Sequence, residues 1–132
     1  MSDRATKYND TKFNEWIAEG KAPAIPATLR LYNTLISLGI KIVFLTGTSQ
    51  RFLDIRTVNL KKAGFYTWEK LILKPTSTGH ISSLEYKSKN RDELVLEGYR
   101  IVGNIGDQWS DILGTNVGLR TFKLPDPMYY IA

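Results

Sequence analysis

The sequence predicts an α/β fold in which a parallel sheet is flanked by helices. Glycine and proline divide the chain into helical and extended segments that alternate. One extended run, IKIVFL, is apolar without alternation, which is typical of a strand covered on both faces. Strands that alternate with helices in this way favour a parallel sheet with right-handed crossovers.

The first half of the chain is predicted to contain three helices and one strand. Thr11 is a suitable cap for a short helix, KFNEWIAE, and Pro26 takes a favourable first position in a longer helix, ATLRLYNTLISL. The strand IKIVFL follows, and we expect it to stop at the polar run 46–49. Another helix is expected over about residues 50–63, and Gly64 ends it.

The second half is predicted to contain three strands and one helix. The extended piece KLILK precedes Pro75, and a helix is expected over about residues 83–97, closed by Gly98. YRIVGNI is the third predicted strand, and LRTFKL is the fourth. The tail PDPMYYIA follows without a predicted element.

Length and composition are those of one ordinary globular domain. The chain has 132 residues, of which 42% are hydrophobic and 23% charged, and it has no cysteine. Disulfides, thiolate metal sites and cysteine nucleophiles are therefore excluded. No apolar stretch approaches the roughly 20 residues that span a bilayer, and MSDRATKYND has no apolar centre of a secretory signal. As written, the chain is expected to stay in the cytosol and to bind no membrane.

The net charge of +5 could indicate a nucleic-acid or phosphate-bearing partner. The lysines and arginines are scattered, however, and most lie beside acidic residues or at helical spacing. No nucleic-acid-binding motif is present. We therefore expect no nucleic-acid partner.

Candidate chemistry lies at the predicted strand ends, where open parallel sheets bind their ligands. The first strand ends in Thr46, whose simplest interpretation is a turn or cap residue. The third ends in Gly106 and Asp107, with Asp111 four residues later. Two carboxylates on one side of a short helix can hold Mg²⁺. The alternative is that Asp107 only caps that helix.

Lys87 lies near the start of the predicted helix 83–97, where a lysine is usually a solvated surface residue. The order of the three candidates gives it another interpretation. A transferring phosphoryl group is stabilised by a hydroxyl, an ammonium and metal-binding carboxylates. In chain order, the sequence offers these groups at Thr46, at Lys87, and at Asp107 with Asp111.

This order resembles the second, third and fourth motifs of the haloacid-dehalogenase-like phosphatases. Longer stretches resemble the plant acid phosphatases and vegetative storage proteins: YNDTKFNEW, VFLTG, RTVNLKKAGFYTWEKLIL, YKSKNRDELVLEGYRIVGNIGDQWSDI and FKLPDPMYYI. The resemblance runs from about Tyr8 to Ile131. It implies a plant origin, a three-layer Rossmann-like parallel sheet between helices, and a domain over residues 8–132 behind a non-family segment, 1–7. It also implies Mg²⁺-dependent hydrolysis of phosphate monoesters with an acidic pH optimum.

The resemblance also implies roles for individual residues. Thr46, with Gly47, would bind the phosphoryl oxygens, and Lys87 would neutralise charge on the phosphoryl group. Asp107 would be a Mg²⁺ ligand, and Asp111 would complete the metal site or support it through a water or through Lys87. Thr48 departs from the family, whose members commonly have arginine there.

The family's first motif, Asp-x-Asp-x-Thr, supplies the aspartate that becomes phosphorylated, and none of the thirteen acidic residues lies in such a pattern. The residues before Tyr8 do not look like a strand. We therefore expect a fold without its nucleophile strand, which the resemblance places between IKIVFL and YRIVGNI, and weak or absent hydrolysis. Exposed strand edges would then favour self-association into a homo-oligomer.

Three functions remain open at this point. The chain is a phosphatase-like domain that keeps a partial Mg²⁺ and phosphate site, a vegetative storage or structural protein, or a fragment of a fully active acid phosphatase. The expected ligand is a small phosphomonoester or phosphate itself. The resemblance places family members in the vacuole or outside the cell.

Overall fold

The computed structural model describes residues 6–7, 15, 26–76, 81–124 and 129–130. Its strands are β1 (Thr6–Lys7), β2 (Val43–Ser49), β3 (Lys70–Lys74), β4 (Gly103–Gly106), β5 (Arg120–Lys123) and β6 (Tyr129–Tyr130). Its helices are α1 (Pro26–Ser37), α2 (Leu53–Lys62), α3 (Ser83–Leu96) and α4 (Trp109–Ile112), and a 3₁₀ turn, Gln50–Phe52, precedes α2. Glu15 is helical, and the rest of the predicted helix KFNEWIAE lies outside the described residues.

The chain divides into two compact units. One unit is Asn9–Ser77, and the other combines Met1–Tyr8 with Thr78–Ala132. Each unit combines helices with parallel strands: β2 pairs with β3 in the first unit, and β4 pairs with β5 and β1 with β6 in the second. The predicted α/β class with parallel strands is therefore confirmed.

Aromatic side chains form the core of the unit Asn9–Ser77. The ring of Tyr32 on α1 stacks on Phe44 of β2, with 5.9 Å between ring centroids. Phe65 meets both rings edge-on, at 5.0 Å from Tyr32 and 5.6 Å from Phe44. The Tyr32 hydroxyl accepts a hydrogen bond from the backbone N–H of Thr67 at 2.9 Å, so its polar end is satisfied inside the core. These contacts fix α1 against the β2–β3 pair.

The core of the second unit is partly ionic. Helix α3 buries Tyr86 and Leu94, as expected of apolar side chains, and it also buries Lys87 and Arg91. Ile112 of α4 is buried as well. Charged side chains are rarely buried unless they are paired, so the partners of the two cations decide how this unit is held together.

Two predicted boundaries at the polar strand ends are wrong. Strand β2 begins at Val43 rather than Ile40, and it continues through the run expected to be a turn, as far as Ser49. The ladder is irregular between Leu45 and Ser49, where the pairing with β3 skips residues. A strand can continue through such polar residues because a bulge absorbs the loss of register.

The third predicted strand, YRIVGNI, is shorter than expected, because only Gly103–Gly106 pair with β5. The residues before Tyr8, which do not look like a strand in sequence, include β1, which pairs in parallel with β6 of the tail. Two residues can form such a ladder through backbone hydrogen bonds, which need no particular side chains. Within the described residues, β2 has no strand partner other than β3, and β4 has none other than β5.

Candidate phosphate and magnesium site

The predicted carboxylates lie just beyond the carboxyl end of β4. Asp107 directly follows the strand, and its side chain is exposed. Its backbone carbonyl accepts a hydrogen bond from Lys123 Nζ at 2.6 Å, which ties this point to the end of β5. Asp111 lies within the short helix α4. A β-carbon at Gly106 would overlap the Asp111 side chain, so glycine is needed there for the carboxylate to approach the strand end.

Lys87 and Asp111 form the central contact of the site. The Lys87 ammonium donates to Asp111 Oδ1, and the side chains are 9% and 15% exposed. The other carboxylate oxygen, Oδ2, accepts from the backbone N–H of Gln108 at 3.1 Å. Lys87 is therefore a buried, paired cation, and the interpretation as a solvated surface residue is wrong. The pairing joins helix α3 to helix α4.

The alternative that Asp107 only caps helix α4 is wrong. Gln108 is the N-cap residue, and the carboxylate that reaches back to its backbone N–H belongs to Asp111. The capping role is thus shared between Gln108 and Asp111, as in a capping box. Asp107, one residue earlier, does not occupy the cap position.

The carboxylates provide only part of a metal site. Mg²⁺ usually takes one or two protein carboxylates and completes its octahedron with water or phosphate oxygens. Asp107 is exposed and carries a carboxylate of the kind that Mg²⁺ binds. Both oxygens of Asp111 accept hydrogen bonds. Residues 6–7, 15, 26–76, 81–124 and 129–130 contain no group of three acidic, histidine or cysteine side chains that could hold a metal ion. Direct ligation by Asp107 or by Asp111 remains a prediction.

Thr46 and Gly47 belong to the other unit, Asn9–Ser77. The Thr46 hydroxyl donates to Thr48 Oγ1 at 3.0 Å and accepts from the Thr48 backbone N–H at 3.2 Å. Thr48 is buried, whereas Gly47 is exposed, and no heavy atom lies within 4 Å of the position of a Gly47 β-carbon. Thr46 lies within strand β2, so the interpretation of Thr46 as a turn or cap residue is wrong, and its phosphate-binding role stays a prediction.

Sequence reasoning missed a second cation beside the Lys87–Asp111 pair. Arg91 is 1% exposed, and it donates to the carbonyls of Leu113 and Thr115 at 2.6 and 2.8 Å. The pKa of its guanidinium is lowered, because the effect of burial is larger than the opposing effect of the nearby charges of Asp111 and Asp92. The sequence signal was the spacing: Arg91 is four residues after Lys87 and so lies on the same helix face.

Parallel strand pairs and helices define the class of the chain as an α/β domain, and its polar cluster lies at the carboxyl end of a strand, where open α/β sheets bind their ligands. Comparison with known families gives the particular class. The chain belongs to the family described as "HAD superfamily, subfamily IIIB (Acid phosphatase)", which matches residues 2–132.

Relatives in plants support the same assignment. The chain is 57% identical over 129 residues to "Stem 31 kDa glycoprotein" of Glycine max, an alignment that covers 95% of this chain and 50% of that protein. It is 47% identical over 124 residues to "Acid phosphatase 1" of Solanum lycopersicum, covering 94% and 49%. It is 43% identical over 117 residues to "Vegetative storage protein 1" of Arabidopsis thaliana, covering 88% and 43%.

A solved structure shows the fold of the family. The class C acid phosphatase from Bacillus anthracis superposes with a TM-score of 0.65 and 27% sequence identity, over 83% of this chain and 44% of that one. The chain spans about half the length of the curated relatives it matches. None of the described helices is long and apolar enough to cross a bilayer.

Proposed function

We propose that this chain binds the phosphate group of a small phosphomonoester through Lys87, with Mg²⁺ held at Asp107. The observation that carries the proposal is the buried pairing of Lys87 with Asp111 beyond the carboxyl end of β4. A buried ammonium needs a negatively charged partner. The Asp111 carboxylate is that partner, and it holds the Lys87 ammonium in place when no ligand is bound. Membership of the acid phosphatase family supports phosphate as the second anion.

Each residue of the proposed site has a separate task. Asp111 holds the Lys87 ammonium through Oδ1, and its Oδ2 fixes the first turn of α4. Lys87 then presents positive charge that offsets the charge of a phosphoryl group. Bound at Asp107, Mg²⁺ would supply further positive charge to the phosphate oxygens. Thr46 and Gly47 are proposed for the phosphoryl oxygens on the family pattern alone.

Hydrolysis by these 132 residues is proposed to be weak or absent. The sequence contains no Asp-x-Asp-x-Thr, so it lacks the carboxylate that forms the covalent intermediate in the family. Binding and turnover are therefore separable in this chain. Lys87 and Asp111 do not need the missing aspartate in order to pair with each other.

A vegetative storage role is the second candidate. Two relatives from Arabidopsis thaliana, each 43% identical over 117 residues, are named vegetative storage proteins. A storage protein needs no functional phosphate site, whereas the first candidate does. Measured phosphate binding therefore distinguishes the two.

The test is a titration of the full chain with inorganic phosphate, with and without Mg²⁺, by calorimetry or by NMR chemical shifts. Replacement of the ammonium in Lys87→Met should weaken phosphate binding by about tenfold or more, because a charge-assisted contact is lost. Lys89→Met is the matched control, since Lys89 lies on the same helix and is exposed. Lys89→Met also removes one positive charge, but from an exposed position, so it should leave the affinity for phosphate unchanged.

Two results would contradict the proposal: no phosphate binding by the wild-type chain, or equal losses in both lysine variants. The first would favour storage. Hydrolysis of p-nitrophenyl phosphate at mildly acidic pH with Mg²⁺ checks the second part of the proposal. Turnover as fast as that of a complete family enzyme would show that another group replaces the missing nucleophile.

A further inference from the structure

We propose that Arg91 is the positioning residue of the site: it holds α4, which carries Asp111, and the loop that follows α4 at the distance from α3 that Lys87 needs. The proposal rests on the function proposed for Lys87 and extends it to the residue that shapes the site. Arg91 touches no proposed ligand group. It acts through the backbone on either side of Asp111.

The contacts of Arg91 point to one segment. Its Nη2 donates to the Leu113 carbonyl at 2.6 Å and its Nε to the Thr115 carbonyl at 2.8 Å. Longer contacts of 3.3 and 3.4 Å join Nη1 to the carbonyls of Ser110 and Asp111. One side chain therefore gathers carbonyls from the end of α4 and from the loop behind it. A planar guanidinium with five N–H donors is suited to this task.

Helix α3 carries both Arg91, the proposed positioning residue, and Lys87, the proposed phosphate-binding residue. Lys87 and Arg91 are one helical turn apart, so their side chains leave the same face. Lys87 binds the Asp111 side chain while Arg91 binds the main chain on both sides of it. Lys87 and Arg91 therefore each fix the distance between α3 and the segment that contains Asp111.

Close packing at Gly114 supports the same inference. Its φ is +95°, and a β-carbon there would overlap Ser88 Oγ and lie 3.1 Å from Arg91 Nη2. The Ser88 hydroxyl itself accepts from Arg91 Nη2 at 3.2 Å and from the Thr115 backbone N–H at 3.3 Å. The loop approaches α3 so closely at this point that only glycine fits without displacement.

The first experiment measures the Lys87–Asp111 contact directly, in the full chain without ligand, as the NMR cross-peak between the Lys87 ε-methylene and Asp111 β protons. In Arg91→Met we expect this cross-peak to be lost and the affinity for inorganic phosphate to fall about tenfold. Arg91→Lys keeps a cation that can donate to one or two of the carbonyls, and it should recover part of both signals. Arg100→Met removes an exposed arginine of the same unit and should change neither.

A cross-peak of wild-type strength in folded Arg91→Met would overturn the proposal, because Asp111 would then be positioned without Arg91. If Arg91→Met does not fold, Gly114→Ala gives the same test, since it moves the loop and keeps the guanidinium. We expect a weakened cross-peak there, and an unchanged one would overturn the proposal. Because the cross-peak is recorded without phosphate, a failure of phosphate binding in the wild type would contradict the proposed function and leave this measurement intact.

Discussion

At the scale of single residues, Asp92 is a second link between α3 and the loop that follows α4. Its Oδ1 accepts from the Thr115 hydroxyl and from the Asn116 side-chain amide, both at 2.6 Å. These two hydrogen bonds lower the pKa of Asp92 from its ordinary value of 3.8. The ionised form of Asp92 therefore stabilises the folded unit.

The lowered pKa of Asp92 predicts a pH dependence of the free energy of unfolding. The contribution is fully present above the unfolded pKa of 3.8, and it is lost as the pH falls below that value and through the folded pKa. We expect Asp92→Asn to flatten the acid side of a stability profile measured by urea unfolding. Thr115→Val, which removes one of the two donors, should give an intermediate slope. Parallel profiles for wild type and Asp92→Asn would contradict this prediction.

The burial of Lys87 shows why the candidate site was only partly predictable. Sequence order and the family resemblance identified Lys87, Asp107 and Asp111, and the structure brings Lys87 to Asp111. The buried face of α3 includes two cations, Lys87 and Arg91. Hydrophobic periodicity assigns such a face to solvent. Arg91 was therefore missed: its spacing from Lys87 places it on the same helix face, but its partners are backbone carbonyls, which the spacing does not identify.

At the scale of helices and strands, apolar segments were predicted best. KLILK was predicted as a strand, and Lys70–Lys74 is the observed one. The polar strand ends were predicted poorly, since β2 extends to Ser49, and of YRIVGNI only residues 103–105 lie in β4, which ends one residue beyond it at Gly106. Where apolar burial is weak, the neighbouring strand decides which backbone groups form the ladder. Single-sequence patterns carry no information about that neighbour.

The glycines that follow two helices allow two effects of a glycine-to-alanine substitution to be separated. One is the backbone strain of a positive φ, and the other is crowding of the new β-carbon by a neighbouring side chain. Gly64 follows α2 with a φ of +104°, and its β-carbon would lie 3.0 Å from Leu29 Cδ2. Gly98 follows α3 with a φ of +103°, and no heavy atom lies within 4 Å of its β-carbon position. Gly98→Ala should lower the free energy of unfolding by about 1 kcal/mol for backbone strain alone.

We expect Gly64→Ala to cost more than Gly98→Ala, because it adds the crowding of Leu29 to the same backbone strain. Thermal or urea unfolding of the two variants beside the wild type gives the comparison. Equal losses would mean that Leu29 moves aside without cost. Gly47→Ala, at a strand position with no heavy atom within 4 Å of its β-carbon, is the control without positive φ.

At the scale of the whole molecule, both units contain helices and short parallel strand pairs. The pair β4–β5 leaves apolar side chains in solvent. Ile105 and Phe122 are register partners on one face of that pair, and they are 39% and 54% exposed. A two-stranded sheet with one uncovered apolar face is marginal in water, so a second copy of the chain is a favourable cover.

We therefore predict that the chain self-associates as its concentration rises, as measured by sedimentation velocity. Phe122→Lys should shift the distribution toward monomer by placing a charge on the exposed face. Leu119→Lys is the matched control, because Leu119 is exposed just before β5 and outside the paired register. A single species at every concentration would contradict this prediction.

The contacts of Arg91 have a consequence for how this loop tolerates sequence drift. Its shortest hydrogen bonds end on main-chain carbonyls of Leu113 and Thr115, which every amino acid supplies. Neutral substitutions can therefore accumulate at exposed Leu113 while the loop keeps its path, whereas Thr115 also supplies the hydroxyl that donates to Asp92. The constraint on the segment therefore falls on Arg91, on the positive-φ glycines Gly114 and Gly118, and on the side chains that bind α3. Those side chains are Asp111, Thr115 and Asn116. A saturation library of residues 108–118 would show it as intolerance at Asp111, Gly114 and Gly118 beside wide acceptance at Leu113.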